Sequence, residues 1–251
     1  MIKPLHLISE LILPPRCAAC GKLQAPRSIT AEGALCRSCA ESWSRELQRQ
    51  CPDCFLAHHA CHCVVPHMKK NGILKHVKLA SYKEEEESVA KHMILRLKEH
   101  VTKEAVSFLA AELAPSVRAA LVAIDRENEQ KGVGKPRETV VTFLPRPKLN
   151  KRRAGFDQSA EIAKALAREL GLPYRVLLKR VGYGVPQKEL SRRERMESMK
   201  GSFVAVGDAS RLRVLLVDDL VTTGAGMGEG SLVLGAAETV AISIAVTEKR
   251  A

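Results

Sequence analysis

The sequence predicts an α/β protein, a parallel sheet flanked by helices, with a small cysteine-rich segment in front. Three observations carry that expectation. Short apolar runs of strand length alternate with longer runs of helical period. The run Val214-Leu215-Leu216-Val217 leads directly into Asp218-Asp219 and a Thr/Gly turn, so two carboxylates stand at the carboxyl end of a buried strand. All eight cysteines lie within the first 63 residues.

Composition sets the outer bounds. A chain of 251 residues makes one or two domains. It is 45% apolar but only 4% aromatic, so the core must be mainly aliphatic. Forty Lys and Arg against 28 Asp and Glu leave a net charge of +12. These values exclude a collagen-like, an acidic-tail or a wholly disordered chain. The longest uninterrupted apolar runs are too short to span a bilayer. No apolar stretch with a small-residue cleavage site follows Met1-Ile2-Lys3-Pro4, so no signal peptide is expected. A cytoplasmic protein without membrane insertion is the expectation.

The elements follow in order. Residues 79–82 suit a short strand. Residues 88–113 carry Val89, Met93, Leu97, Val101 and Ala105 at helical spacing, with one break. Pro115 interrupts the pattern, and 117–124 resumes it. Residues 125–139 are polar and bear Gly and Pro, so a surface loop is expected. Residues 140–144 read as a buried strand ending at Pro145-Arg146-Pro147. Residues 157–170 form an amphipathic helix closed by Gly171 and Pro173. A further strand is expected over 175–178. Residues 182–202 are dense in Arg and Glu with no apolar period. Residues 213–217 are a buried strand, 231–234 a helix, and 239–246 a last strand.

The cysteines read Cys17-x-x-Cys20, Cys36-x-x-Cys39, Cys51-x-x-Cys54 and Cys61-x-Cys63. Such pairs set two thiolates at the corner of a turn, and four thiolates close one tetrahedral structural zinc site. Eight ligands suit two zinc ions. Local pairing would join Cys17, Cys20, Cys36 and Cys39, and separately Cys51, Cys54, Cys61 and Cys63. Interleaved pairing is equally compatible with the spacing. A closed four-thiolate site is structural, so this segment reads as a stapled scaffold or docking module.

The stretch Asp218-Asp219-Leu220-Val221-Thr222-Thr223-Gly224-Ala225-Gly226 carries the chemistry. Glycine lets the backbone approach an anion. Threonine hydroxyls and backbone N–H groups donate to it, and a helix N-terminus adds favourable charge. Ionised carboxylates accept hydrogen bonds from hydroxyl pairs such as those of a ribose. The turn is neither a Walker loop nor a dinucleotide fingerprint.

This motif resembles the 5-phosphoribosyl-1-diphosphate (PRPP) signature of type I phosphoribosyltransferases. Nearly the whole chain resembles the ComF family, in which a zinc-ribbon segment precedes such a domain. Residues 11–21, the run Leu95-Arg96-Leu97-Lys98, the stretch from Pro145 through Arg153-Ala154-Gly155-Phe156-Asp157-Gln158, and the segment 187–203 carry the resemblance. It implies a zinc-ribbon domain over 1–66 and a phosphoribosyltransferase-like domain over 67–251. It also implies ribose contacts from Asp218 and Asp219, and a 5′-phosphate cradle from Thr222, Thr223, Gly224, Ala225 and Gly226. Lys148, Lys151, Arg152 and Arg153 would approach the diphosphate. Arg192, Arg193 and Arg195 lie in a segment matching the hood loop, and Mg²⁺ would ride on the diphosphate. Thr222 stands where 6-oxopurine transferases carry an acid, which argues against a hypoxanthine or guanine acceptor. Gly226 stands where a hydroxyl residue is usual. Asp157 and Ser198 each replace a usual Asn.

Two functions from different classes follow. One is a transferase acting on PRPP, with no acceptor or general base identified. The other is a non-catalytic adaptor that binds a nucleotide or single-stranded DNA. In ComF-type proteins the resemblance implies DNA uptake and a competence helicase docked on the zinc module. Residues 146–200 hold fifteen Lys or Arg against six Asp or Glu, a density that can meet a polyanion.

Overall fold

The computed structural model describes residues 14–25, 33–82, 88–134, 136, 138–147, 155–181 and 197–247. The main strands are β1 (Ile73–Tyr82), β2 (Glu138–Phe143), β5 (Leu212–Val221) and β6 (Glu238–Thr247). They make a four-stranded, wholly parallel sheet in the order β1-β6-β5-β2, so the α/β expectation holds. β5 and β6 are near-continuous Val, Ile, Leu and Ala, buried on both faces, as parallel strands covered by helices require. A small antiparallel pair, β3 (Leu178–Arg180) with β4 (Phe203–Ala205), lies outside that sheet.

Among the described residues six α-helices accompany the strands. They are α1 (Arg37–Leu47), α2 (Pro66–Lys70), α3 (Val89–Glu99), α4 (Lys103–Lys131), α5 (Gln158–Leu170) and α6 (Ala225–Leu234). Their limits have local causes. Ser88 caps α3 by accepting from Lys91 N at 3.1 Å. Thr102 caps α4 through Ala105 N at 3.2 Å. Gly171 ends α5 in the left-handed region, at φ 68°.

Several boundaries differ from the sequence expectation. α4 runs unbroken through Pro115 and on through 125–131, where a loop was expected. Proline costs that helix a backbone bond. Its neighbours Leu113, Ala114, Ser116 and Val117 are all buried, so packing holds the turn. Arg126, Glu127, Glu129, Gln130 and Lys131 are good helix formers. Asn128 anchors them by donating to Glu238 Oε1 on β6 at 2.5 Å. By length and composition alone α4 could cross a bilayer, yet Leu109, Leu113, Val117 and Ile124 are buried in the protein core.

The cysteine-bearing segment is tied to the sheet and helices at several points. Trp43 Nε1 donates to Glu112 Oε2 at 2.8 Å. Ser116 Oγ donates to the His59 carbonyl at 2.5 Å. Glu46 on α1 accepts from Val89 N at 2.6 Å and Ala90 N at 3.1 Å, capping α3 from another element.

Candidate functional site

The site grows out of strand pairing. β2 and β5 are parallel and in register from Glu138↔Leu212 to Phe143↔Val217. Their carboxyl ends therefore open on the same side, and 144–147 leave the sheet beside 218–226. β5 continues through both aspartates to Val221, because Asp218 pairs with Ser243 and Leu220 with Ala245 on β6. The carboxylates thus sit within the strand's last turns of pleat rather than after it.

Thr222, Thr223 and Gly224 make the turn, and Ala225 and Gly226 already belong to α6. Gly224 caps α6 at φ 77°, a conformation that side chains resist. A Cβ there would also fall 2.7 Å from Met68 Cγ. Thr223 Oγ1 accepts from Ala225 N at 3.3 Å. The first turn of α6 faces an open cleft of about 160 Å³, walled by 144–147, Arg180, Met199, Asp218 and 220–227. A Cβ on Gly226 would lie 2.9 Å from Leu144 Cδ2 and 3.1 Å from Met199 Cε. Those side chains fill the room that a hydroxyl residue would need.

Adjacent strand residues alternate faces, and the two aspartates differ accordingly. Asp218 lines the cleft, where Ser159 Oγ donates to its Oδ1 at 2.9 Å. Asp219 is buried, accepts from Gln158 Nε2 at 2.7 Å and lies 3.8 Å from Lys98 Nζ. Burial and then the charge of Asp219 push the Asp218 carboxyl well above the usual range.

Two guanidinium groups face the same cleft. Arg146 Nη1 and Arg180 Nε are buried without a hydrogen-bond partner among the described residues. Arg180 rests on soft, neutral groups, with Nη2 3.6 Å from Met199 Sδ and Cζ 5.2 Å from the Phe203 ring centre. Burial lowers its pKa, and the charge of Asp218 opposes that shift. Donors without acceptors, beside a helix N-terminus, have the chemistry that suits a phosphoryl anion.

The cysteines form two separate clusters, Cys17, Cys20, Cys36 and Cys39, and Cys51, Cys54, Cys61 and Cys63. Local pairing is the arrangement observed. Within each cluster the four sulfurs lie within 4.8 Å of one another, and all eight cysteines are free of disulfides. A tetrahedral zinc with about 2.3 Å bonds needs sulfurs about 3.8 Å apart. Cys20 and Cys36 sulfurs stand 3.8 Å apart. Backbone N–H groups of Cys36 and Cys63 donate to Cys17 and Cys61 sulfurs at 3.4 and 3.3 Å. Burial raises the thiols of Cys39 and Cys63, and the neighbouring sulfurs add to it. A divalent cation is the partner that would let all four ionise. Both clusters fit zinc.

No family model matches the chain. Competence protein F of Haemophilus influenzae is 34% identical to it over 86 residues. Over that stretch the chain is similar to a competence protein. The match takes in 33% of this chain and spans 38% of the length of that relative. Among solved structures, TT1426 from Thermus thermophilus is similar at 20% identity, over 56% of this chain and 82% of that one, with a TM-score of 0.24.

The structure gathers Asp218, Thr222, Thr223, Gly224, Ala225 and Gly226 along one cleft and places Asp219 just behind it. Lys148, Lys151, Arg152, Arg153, Arg192, Arg193 and Arg195 lie outside the described residues. Sequence reasoning assigned no role to Lys98, Arg146, Gln158, Ser159 or Arg180. Lys98, Arg146 and Gln158 fell inside segments that carried the family resemblance, which was the available signal. Ser159 and Arg180 had none, since only the fold brings them to β5.

Proposed function

We propose that the cleft binds PRPP or a closely related phosphoribosyl ligand, and that the chain serves DNA uptake as a ComF-type protein in the cytoplasm. The observation that carries this reading is one shared cleft holding a strand-end carboxylate, a Thr-Thr-Gly turn on a helix N-terminus and two guanidinium nitrogens without a partner among the described residues. Asp218 would accept from a ribose hydroxyl, with Asp219 holding the strand end in place. Thr222, Thr223 and the first N–H groups of α6 would take the 5′-phosphate. Arg146 and Arg180 would meet the diphosphate, with Mg²⁺ carried in on it.

If an acceptor nucleophile enters, the bond from the anomeric carbon to diphosphate breaks and positive charge develops on the sugar. Asp218 would stand near that charge, and the guanidinium groups would stabilise the departing diphosphate. Turnover and the acceptor are separate from binding and are tested after it.

Calorimetric titration of the zinc-loaded protein with PRPP and Mg²⁺ is the test, with the Asp218→Asn/Asp219→Asn double variant as control and single-stranded DNA as a second titrant. Saturable PRPP binding lost in the variant supports the reading. Absence of PRPP binding, with DNA binding that survives the variant and weakens steeply with salt, replaces it with a single-strand-binding adaptor.

A further inference from the structure

The two cysteine clusters have the same donor set but different surroundings. A zinc ion with four thiolates carries a net charge of −2, which the protein must neutralise or leave to solvent. In the first cluster Cys20 is exposed, and Cys36 and Cys39 are partly exposed. A neutral side chain meets its sulfurs, with Ser38 Oγ 3.5 Å from Cys36 Sγ.

The second cluster lies deeper. Cys51 and Cys61 are buried. Lys78, on β1, is only 3% exposed. Its ammonium donates to Cys61 Sγ at 3.1 Å, to the Cys63 carbonyl at 3.2 Å and to the Cys61 carbonyl at 3.4 Å. An ammonium has three protons, and all three partners belong to the cluster. A buried lysine is tolerated only beside such a counter-charge. The metal-bound thiolates and Lys78 therefore stabilise each other. A chelator that strips this zinc must dismantle a neutralised, buried network joined to the edge strand of the sheet. At the first cluster it meets exposed sulfur.

We propose that Lys78 makes the second zinc centre a permanent staple of the fold and leaves the first as the exchangeable one. A one-zinc state, folded and lacking metal only at Cys17, Cys20, Cys36 and Cys39, is then a defined form of the molecule.

The experiment uses the full chain loaded with two zinc ions and an excess of the chromogenic chelator 4-(2-pyridylazo)resorcinol. Zinc should leave in two phases of one ion each, the second at least about tenfold slower. Labelling with N-ethylmaleimide, read by peptide mass spectrometry, should reach Cys17, Cys20, Cys36 and Cys39 in the fast phase. Lys78→Met should speed the slow phase about 10- to 100-fold, the range seen when an outer-shell partner of a metal ligand is removed. Lys78→Arg keeps the charge and should stay slow. Should Lys78→Met fail to fold, the labelling order in the unaltered chain and the Lys78→Arg rate decide. A single release phase, first labelling at Cys51, Cys54, Cys61 or Cys63, or an unchanged slow phase in folded Lys78→Met would each overturn the proposal.

Discussion

Gln158 donates a 2.7 Å hydrogen bond to Asp219, joining the first turn of α5 to the end of β5. Ser159, the next residue, does the same for Asp218 at 2.9 Å. The carboxylates of the cleft are therefore set by a helix start far upstream in the chain. Gln158 is 1% exposed, so no water replaces its donor when it is lost. Gln158→Leu should cost about 1–3 kcal/mol, the usual penalty for stranding a buried polar group. Thermal unfolding should show a drop of several degrees, and PRPP titration a weaker complex. An unchanged melting temperature would count against the role.

Asp218 should trade stability for binding. Burial and Asp219 raise its pKa in the fold, so the folded chain keeps a proton that the unfolded chain releases earlier. Its stabilising contribution is full below the ordinary carboxylate range. It is lost as pH climbs from there through the raised value. Asp218→Asn, which cannot ionise, should melt higher at neutral pH, with about 2–4 °C for each 1 kcal/mol in a chain of this size. The variant's melting temperature should also vary less with pH above the ordinary carboxylate range. PRPP binding should fall at the same time. A variant that melts lower at neutral pH contradicts this account.

Much of the architecture was legible because it rests on local pattern. The buried runs of β2, β5 and β6 were read within a few residues, and Gly171 marked the end of α5 correctly. The errors come from tertiary pairing. Asp is a poor strand residue, so the sequence ends β5 at Val217, yet β6 pairs with it as far as Val221. Pro115 and the polar run 125–131 suggest a break, and packing with Asn128 against Glu238 overrides it. Spacing left the cysteine pairing open, and only the fold separated the two clusters. Glycine is a poor residue for a helix interior, yet Gly228 and Gly230 lie inside α6. A Cβ on Gly230 would stand 2.7 Å from Leu144 Cδ1, so that glycine admits the wall of the cleft.

Arg180 should matter more to anions than to folding. Its Nε has no acceptor among the described residues, and its other contacts are a thioether and a ring face. Charge-assisted hydrogen bonds to a phosphoryl group contribute about 1.5–3 kcal/mol. Arg180→Gln should weaken binding of inorganic pyrophosphate roughly 10- to 100-fold and reduce its dependence on salt. Its melting temperature should change little, because the native chain gains no ion pair from that charge at hydrogen-bond distance among the described residues. Equal pyrophosphate affinity in both proteins would remove Arg180 from the site.

Glu46 should report how firmly the cysteine-rich segment holds the rest of the chain. Its carboxylate accepts from the N–H groups of Val89 and Ala90, the first two residues of α3. Those donors have no partner within the helix, and Glu46 itself is 7% exposed. Ser88 already caps Lys91 N, so the two caps serve different donors. Glu46→Ala should cost about 1–2 kcal/mol, as loss of a helix cap does. Hydrogen exchange should locate the loss, with faster exchange at Val89 and Ala90 and no change at β6. α3 also carries Lys98, 3.8 Å from Asp219, so weaker PRPP binding should accompany the frayed helix. Faster exchange spread evenly over the whole sheet would show instead that Glu46 stabilises the chain globally and caps nothing in particular.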